Sequence, residues 1–333
     1  MTVPPAVSQG LAHFASSPID IPESAMGAGR GLLINTVARA VAGSHGQAAE
    51  SARAGVRALG TPELAGILGR TERLSPIWAA LVNGIAAAGE GLGGDDFHER
   101  SQMRVGASVV PAALAAAEWR DRSVGELVAA IVIGAEVGIR VGIGLGPSHR
   151  ERGWEVSSTC GAIGAAVAAG LMLGLDEAAM LMAIGLSATQ AAGLRAAAGT
   201  MTAAFQMGRA ASNGVESALF AAAGLTTTTI PIEGRRGLAA LTSVATDHEA
   251  MLEGLGERWE VEQLRIEPGA GAAPEARPAA EPASHHAALL DRARALVRPV
   301  LGSDSEPLIH ACWDFEGESS RRLVAASWRV GAS

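Results

Sequence analysis

The stretch VSSTCGAIGAAVAAGLMLGL, residues 156–175, decides the fold, because it runs for twenty residues without a charged side chain. It approaches the length of a membrane-spanning helix, and a second uncharged run covers residues 178–194. However, the first run opens on Ser157, Asp176 and Glu177 separate the two, and no basic cluster flanks either end. The stretch therefore favours a helix buried in a protein core over the alternative of a membrane span.

Similar Ala/Leu/Val segments, separated by short Gly, Pro or Ser breaks, extend on both sides of this stretch without the alternation typical of strands. Serines before them, such as Ser123 ahead of Glu126, indicate helix starts. The sequence thus predicts a mainly α fold. The predicted helices are Leu32–Ala42, Gln47–Leu59, Ser75–Ala88, Val110–Glu118, Val124–Val141, Ser157–Leu173, Glu177–Gln190 and Ala203–Ala223.

The pattern changes near residue 255, and we expect an all-helical domain over 1–254 and a reduced α+β domain over 255–333. Residues 258–266 alternate like a strand, and a Gly/Ala/Pro-rich linker covers about 268–282. One amphipathic helix, Ala287–Val297, follows. Two alternating runs, 308–315 and 323–330, then predict a β-hairpin.

Composition excludes several functions. All 26 basic residues are arginines, and the chain has no lysine and no tyrosine, so lysine Schiff-base chemistry and a Walker A loop are both excluded. The net charge is −8 and the arginines are scattered, which argues against a nucleic-acid partner or an anionic membrane surface. Two cysteines and an N-terminus without a basic and apolar leader predict a cytoplasmic protein.

Two motifs are polar islands in apolar surroundings. Residues 89–94 match the dinucleotide fingerprint GxGxxG, but they follow a predicted helix instead of a strand, so we do not expect a nucleotide site. The stretch Asp95-Asp96-Phe97-His98-Glu99 admits a solvated loop, the edge of a pocket or, least well, a metal site. Glu136 and Arg140, four residues apart in one helix, predict a buried ion pair.

Glu155 is the most suggestive single residue. It lies between Trp154 and a predicted helix start, where the helix dipole favours its carboxylate and burial opposes it. Those opposing effects suit a general base, and a plain capping role is the alternative. Cys160, in a helix of small residues, is expected to be a core thiol and not a nucleophile.

Seven segments, in order and at nearly the right spacing, resemble the MmgE/PrpD family, which includes 2-methylcitrate dehydratase, cis-aconitate decarboxylase and iminodisuccinate epimerase. They are Ala79–Gly84, Val109–Glu118, Gly134–Val137 with Arg140, Gly153–Gly161, Gly199–Thr202, Gly208–Ala211 with Asn213-Gly214, and Ile232–Gly234. The resemblance implies a cofactor-independent homodimer with a large helical domain and a smaller lid, acting on small carboxylic acids.

The resemblance also locates changes at the working positions. Arg104 and Glu155 stand where the family has histidines, Ala203 where it has a lysine, and Gln206 where it has another histidine. Asp95-Asp96 matches the family's Asp pair only with an insertion. Full-length members of the family continue for more than a hundred residues beyond the last residue of this sequence and complete the lid there. We therefore expect a truncated lid, a more open pocket and a larger, less polar substrate.

The expected pocket follows from these positions. The predicted catalytic residues are Glu155 as base, His98 or an Asp such as Asp96 to return a proton, and Arg104, with Arg195 as the alternative, to hold a carboxylate or stabilise an enolate. The predicted substrate-binding residues are Asp95, Trp154, Ser157, Arg195, Ala203 and Gln206, with no metal and no cofactor. Three functions stay open: a diverged lyase or isomerase acting on a carbon acid, a cyclase that holds a substrate conformation, and a non-catalytic binding protein.

Overall fold

The computed structural model describes residues 6–89, 96–266, 282–313 and 318–328. Most of these residues are helical, which confirms the mainly α prediction. The helices are α1 Val7–Ser16, α2 Glu23–Gly43, α3 Gln47–Arg57, α4 Pro76–Ala87, α5 Gly106–Arg120, α6 Val124–Glu151, α7 Val156–Leu173, α8 Glu177–Thr189, α9 Met201–Ala222, α10 Leu238–Thr242, α11 Pro282–Leu301, α12 Ser305–Trp313 and α13 Ser320–Ala326.

Short strands join the helices in two places. β1, Ala65–Gly66, pairs antiparallel with β2, Arg73–Leu74. β3, Asp96–Phe97, pairs antiparallel with β4, Arg265–Ile266, and so connects the loop before α5 to a segment far along the chain. Each strand is two residues long, so packing between helices carries the fold.

Helix α7, which begins at the opening stretch, lies at the centre of the bundle against α5, α6, α8 and α9. Its sequence explains this position, because small residues let the backbones touch. A Cβ added to Gly134 of α6 would lie 2.5 Å from the Gly164 carbonyl oxygen of α7, and one added to Gly164 would lie as close to the Gly134 carbonyl oxygen. Side chains larger than glycine would push the two helices apart.

Helices α6 and α7 are both long and apolar enough to cross a membrane, yet 89% of each apolar window is buried inside the protein. That burial is what the sequence analysis expects of core helices. α6 begins with a capping box between Ser123 and Glu126 and extends beyond its predicted end to Glu151, with a break at Gly146, which has φ of 66° ahead of Pro147.

The predicted β-hairpin near the C-terminus is wrong. Residues 305–313 and 320–326 form α12 and α13, while 314–317 and 329–333 lie outside the described residues. In α12 the buried residues Leu308, Ile309 and Cys312 recur at helical spacing. In so short a segment the apolar residues Ile309, Ala311 and Trp313 also stand at alternating positions. α11, α12 and α13 pack on α2, α5 and α6, and the predicted domain boundary at residue 254 stays a prediction.

The predicted strand over residues 258–266 is reduced to β4, preceded by a 3₁₀ turn at Glu260–Gln263. The reason is Glu136, whose carboxylate accepts the backbone N–H groups of Glu260 at 3.1 Å and Val261 at 2.9 Å. Those donors therefore bond to a side chain and not to a neighbouring strand. Arg140 contacts the same carboxylate at 2.6 Å, which confirms the predicted buried ion pair.

Candidate active site

A cleft of about 480 Å³ opens between the start of α7, the loop before α9 and α9 itself. Its volume falls in the range of small-molecule pockets, about 300–1,000 Å³. The residues that line it are Ser158, Ala192, Gly193, Leu194, Ala196, Ala197, Thr200, Thr202, Phe205, Gln206, Arg209, Ala210 and Asn213. We call this the α7–α9 cleft.

Glu155 is the N-cap residue of α7 and lies at the margin of this cleft. Its carboxylate accepts the Ser157 N–H at 3.4 Å, and its own N–H donates to the Gly193 carbonyl at 3.0 Å. Gly193 has φ of 142°, and a Cβ there would lie 2.8 Å from the Ser158 Cβ and 3.3 Å from the Glu155 Cβ. Glycine thus allows the loop wall to approach the helix start, and Glu155 is left half-buried.

Gln206 lines the cleft, as the sequence analysis expects of a substrate-binding residue. Its Oε1 accepts the backbone N–H of Leu194, and its carbonyl oxygen lies 3.1 Å from the Ser158 hydroxyl. The Ser158 hydroxyl is also 2.6 Å from the Ala192 carbonyl oxygen. These bonds fix the loop that precedes α9 against the start of α7 and against α9 itself. Since the oxygen of the Gln206 amide is engaged, its nitrogen offers two N–H donors to a ligand.

Arg209, three residues further along α9, supplies a positive charge to the lining. Its guanidinium donates to Ser212 Oγ at 3.3 Å and lies 3.8 Å from Glu216 Oε2, both on the same helix. These contacts use few of its five N–H donors, and its side chain is 38% exposed. Arg209 is a site residue that is not among those predicted from the sequence, although its spacing of three residues from Gln206 places both on one helix face.

Asp96 and His98 do not line the cleft. The Asp96 carboxylate is buried and accepts the N–H groups of Val105 at 2.5 Å and Gly106 at 2.7 Å, so it caps the start of α5. His98 is also buried, with Nδ1 2.9 Å from Ser101 Oγ and Nε2 3.4 Å from a Glu260 carboxylate oxygen. Burial lowers the pKa of His98, and Glu260 opposes that shift.

The solvated-loop interpretation is therefore wrong for Asp96 and His98. Both side chains are buried and hold the loop before α5 in place. Asp95 lies outside the described residues. Within the ranges that the structure describes, no three His, Cys, Asp or Glu residues come close enough together to hold a metal ion.

The other predicted residues lie around the start of α7 and the loop before α9. The Arg104 N–H donates to the buried Ser157 hydroxyl at 3.0 Å, and its guanidinium lies 5.7 Å from the centre of the Phe97 ring. Trp154 pairs with Leu194 through a β-bridge. Arg195 is exposed, with Nη1 3.4 Å from the Arg150 carbonyl oxygen.

Ala203 is half-buried on α9, between the two lining residues Thr202 and Gln206. Of the predicted catalytic set, the structure thus brings the backbone of Arg104 and Glu155 to the start of α7, whereas Asp96 and His98 are buried outside the cleft lining. Of the predicted substrate-binding set, Gln206 is in the lining and Trp154, Ser157, Arg195 and Ala203 adjoin it.

His149, which was not predicted from the sequence, supports the backbone of Glu155 through Thr159. It is fully buried, its Nε2 lies 2.8 Å from Thr159 Oγ1, and burial lowers its pKa to about 4. Thr159 Oγ1 in turn lies 3.2 Å from the Glu155 carbonyl oxygen. Cys160 is fully buried with its pKa raised to about 12 by burial, which confirms the core-thiol prediction.

These features define the class: a predominantly α-helical protein with a cleft of small-molecule size between two of its helices. The sequence model of the MmgE/PrpD N-terminal domain matches residues 9–250, and the chain belongs to the MmgE/PrpD family. The resemblance on which the sequence analysis relied is thereby confirmed.

Two curated relatives carry the name of a lyase. The chain is 28% identical to the cis-aconitate decarboxylase of Aspergillus terreus over 278 residues, 78% of this chain and 56% of that protein. It is 32% identical to the cis-aconitate decarboxylase-like protein oryM of Aspergillus oryzae over 213 residues, 61% of this chain and 44% of that protein. The chain thus spans about half the length of the curated relatives that it matches.

Proposed function

We propose that this protein is a cofactor-independent lyase or isomerase that removes a proton from a carbon atom of a small carboxylic acid bound in the α7–α9 cleft. The observation that carries the proposal is the position of Glu155. As the N-cap of α7 it holds a carboxylate beside Gly193, which lines the same cleft as Gln206 and Arg209. Membership of a family with lyases among its curated relatives supports the reaction class.

The binding step relies on Arg209 and Gln206. The planar guanidinium of Arg209 matches a carboxylate in geometry and charge, and the Gln206 amide nitrogen adds neutral donors beside it. A carboxylate held there places its neighbouring carbon inside the cleft. The same positive charge stabilises the enolate that forms when that carbon loses its proton.

The chemical step relies on Glu155. Within the described residues, the hydrogen bond that its carboxylate accepts from the α7 backbone is long, 3.4 Å from the Ser157 nitrogen, so the carboxylate keeps lone pairs for a substrate proton. Its backbone is fixed at both ends, by the N–H bond to Gly193 and by the Thr159 hydroxyl at its carbonyl. A base on a fixed backbone is positioned in advance of the reaction. We place Glu155 as general base and Arg104, at the same helix end, as an outer carboxylate contact.

A specific observation favours a second candidate. Most of the cleft lining is apolar, and the Ser158 hydroxyl and Gln206 oxygen already bond to the backbone. Such a cavity suits a cyclase that holds a substrate conformation, or a binding protein, neither of which needs a strong base. The homodimer and the cytoplasmic location expected from the sequence stay predictions.

The test is proton exchange in D₂O. The purified protein is incubated with a panel of small mono-, di- and tricarboxylic acids, and proton NMR follows loss of C–H signal and new alkene signals. We expect turnover of at least one acid, reduced about 100-fold or more in Glu155→Gln, since a general base contributes about 10²–10⁴. Arg209→Gln should raise KM, because a carboxylate contact is lost, and also lower kcat, because the enolate loses its counter-charge.

The matched control is Glu151→Gln, which makes the same change at an exposed residue of α6. It should keep the wild-type rate. If Glu155→Gln keeps that rate too, Glu155 is not the base. A modest slowing with unchanged binding would support the cyclase, and binding without turnover of any acid would support the non-catalytic alternative.

A further inference from the structure

A second cleft, of about 390 Å³, lies on the other side of the first turns of α9, between α3, α4 and α9. We call it the α3–α9 cleft. Thr202 and Phe205 line both clefts, so the two share one wall. We propose that the substrate is a carboxylic acid with an extended apolar arm, whose acid end lies in the α7–α9 cleft and whose arm crosses Phe205 into the α3–α9 cleft. This inference rests on the proposed function and names its substrate class.

The lining of the α3–α9 cleft has the chemistry of an apolar subsite. Among the described residues that line it none is ionisable, and Ser51 and Thr202 supply its hydroxyl groups. In contrast, the α7–α9 cleft holds Arg209 and the polar amide of Gln206. The charge is therefore confined to one end of the joined site, which suits a ligand with one charged end and one uncharged arm.

The groove exists because one face of α3 is built from small residues. Ala48, Ala52 and Gly55 recur at positions i, i+4 and i+7, and all three line the cleft. A Cβ added to Gly55 would meet no heavy atom within 4 Å, so the space in front of it is open. Larger side chains at these positions would let α3 cover α9 and close the groove.

Large apolar side chains border this space and remain exposed to water. Leu59 is 66% exposed, Met201 50% and Phe205 45%. Covering exposed apolar surface is favourable in proportion to its area, and an apolar arm laid along the groove would cover all three. A short acid such as a tricarboxylate would fill the charged end alone and leave this surface in water.

The test is a chain-length series of straight-chain carboxylates from butanoate to decanoate, with binding measured by calorimetry. In the wild-type protein Kd should fall about two- to fourfold per methylene group, the value expected when a methylene leaves water. Gly55→Leu should stop this gain after the first members and weaken decanoate binding about tenfold or more, while butanoate binding is unchanged. Primary alcohols of equal length should bind more weakly than the acids.

The matched control is Gly27→Leu, which makes the same change in the second turn of α2, where an added Cβ also meets nothing within 4 Å. It should reproduce the wild-type series. A Kd that is independent of chain length, or a series unchanged by Gly55→Leu, overturns the apolar arm.

The outcomes separate the two proposals. Binding of short acids with loss of activity in Glu155→Gln, but no effect of chain length, leaves the proposed function standing and removes the arm. A chain-length effect with equal binding of acids and alcohols keeps the arm and overturns the role of Arg209. If no acid binds at about 10 mM, a concentration well above a Kd of about 1 mM, both proposals are overturned.

Discussion

Replacing Arg140 with methionine should destabilise the protein severely, because this arginine neutralises a carboxylate inside the core. Arg140 and Glu136 are 1% and 0% exposed, and Arg140 Nε donates to Glu136 Oε1 at 2.6 Å. The guanidinium also donates to the carbonyls of Glu253 at 2.8 Å, Gly254 at 3.3 Å and Arg258 at 2.7 Å. The change therefore leaves one carboxylate without its counter-charge and three carbonyls without this donor.

Removing one partner of a buried ion pair costs about 3–5 kcal/mol, a large part of the about 5–15 kcal/mol that stabilises a typical domain. Urea unfolding at pH 7, followed by tryptophan fluorescence, measures the loss. Arg294→Met is the matched control, since Arg294 pairs with Glu306 at 3.0 Å on the surface, and it should cost less than about 1 kcal/mol. A loss below 1 kcal/mol for Arg140→Met would refute the reasoning.

The pH dependence gives a second measure of the same charge. Burial already raises the pKa of Glu136, and Arg140 opposes that rise. Without the arginine the pKa of Glu136 rises further. The folded variant therefore binds a proton at a pH at which the unfolded chain, whose carboxyl pKa is about 4.3, has released it. Its free energy of unfolding should thus increase relative to wild type as the pH falls from 7 to 5. An equal difference at both values would contradict this account.

Two further predictions concern the packing around the site. Burial lowers the pKa of His149 to about 4 from the 6.5 of an unfolded chain. Its contribution to the free energy of unfolding should therefore decline by up to about 3 kcal/mol as the pH falls from 6.5 to 4. In urea unfolding, His149→Gln should lack that part of the decline. Gly208→Ala should cost about 1–3 kcal/mol, because its Cβ would lie 2.6 Å from Ile85 Cγ1 where α9 meets α4. In the same thermal or urea assay Gly55→Ala, in open space on a helix, should add about 0.5–1 kcal/mol, and equal effects of the two glycine changes would contradict the packing assigned to Gly208.

The central helices were predictable because their signals are local. Apolar runs bounded by capping residues identify α4, α7 and α8 to within two residues, and the Ser123 capping box marks the start of α6. The C-terminal helices were not predictable in this way. In a run as short as 308–312, a helical and an alternating pattern differ in the position of only one or two apolar residues. The segment 258–266 failed for another reason: its backbone donors are taken by Glu136, more than a hundred residues earlier, and no local pattern reveals this.

The candidate site was predictable in part. The family resemblance located Glu155 and Gln206, which the structure places at the margin and in the lining of one cleft. It also suggested Asp96 and His98, whose side chains the structure uses to cap α5 and to contact Glu260. A sequence lists polar residues near the start of a helix without showing which of them point inward, and that direction depends on packing.

The substitutions on α9 and the shape of the two clefts support one conclusion. The family resemblance of the sequence aligns Ala203 with a lysine, and its neighbours Thr202 and Phe205 form the wall between the clefts. Ala203 itself is in the lining of neither cleft, and the shared wall is uncharged because Thr202 and Phe205 carry no ionisable group. The positive charge in the described lining is at Arg209, six residues or about 9 Å beyond Ala203 along the helix. The described linings therefore leave an uncharged path from the proposed acid end of the site to the apolar groove.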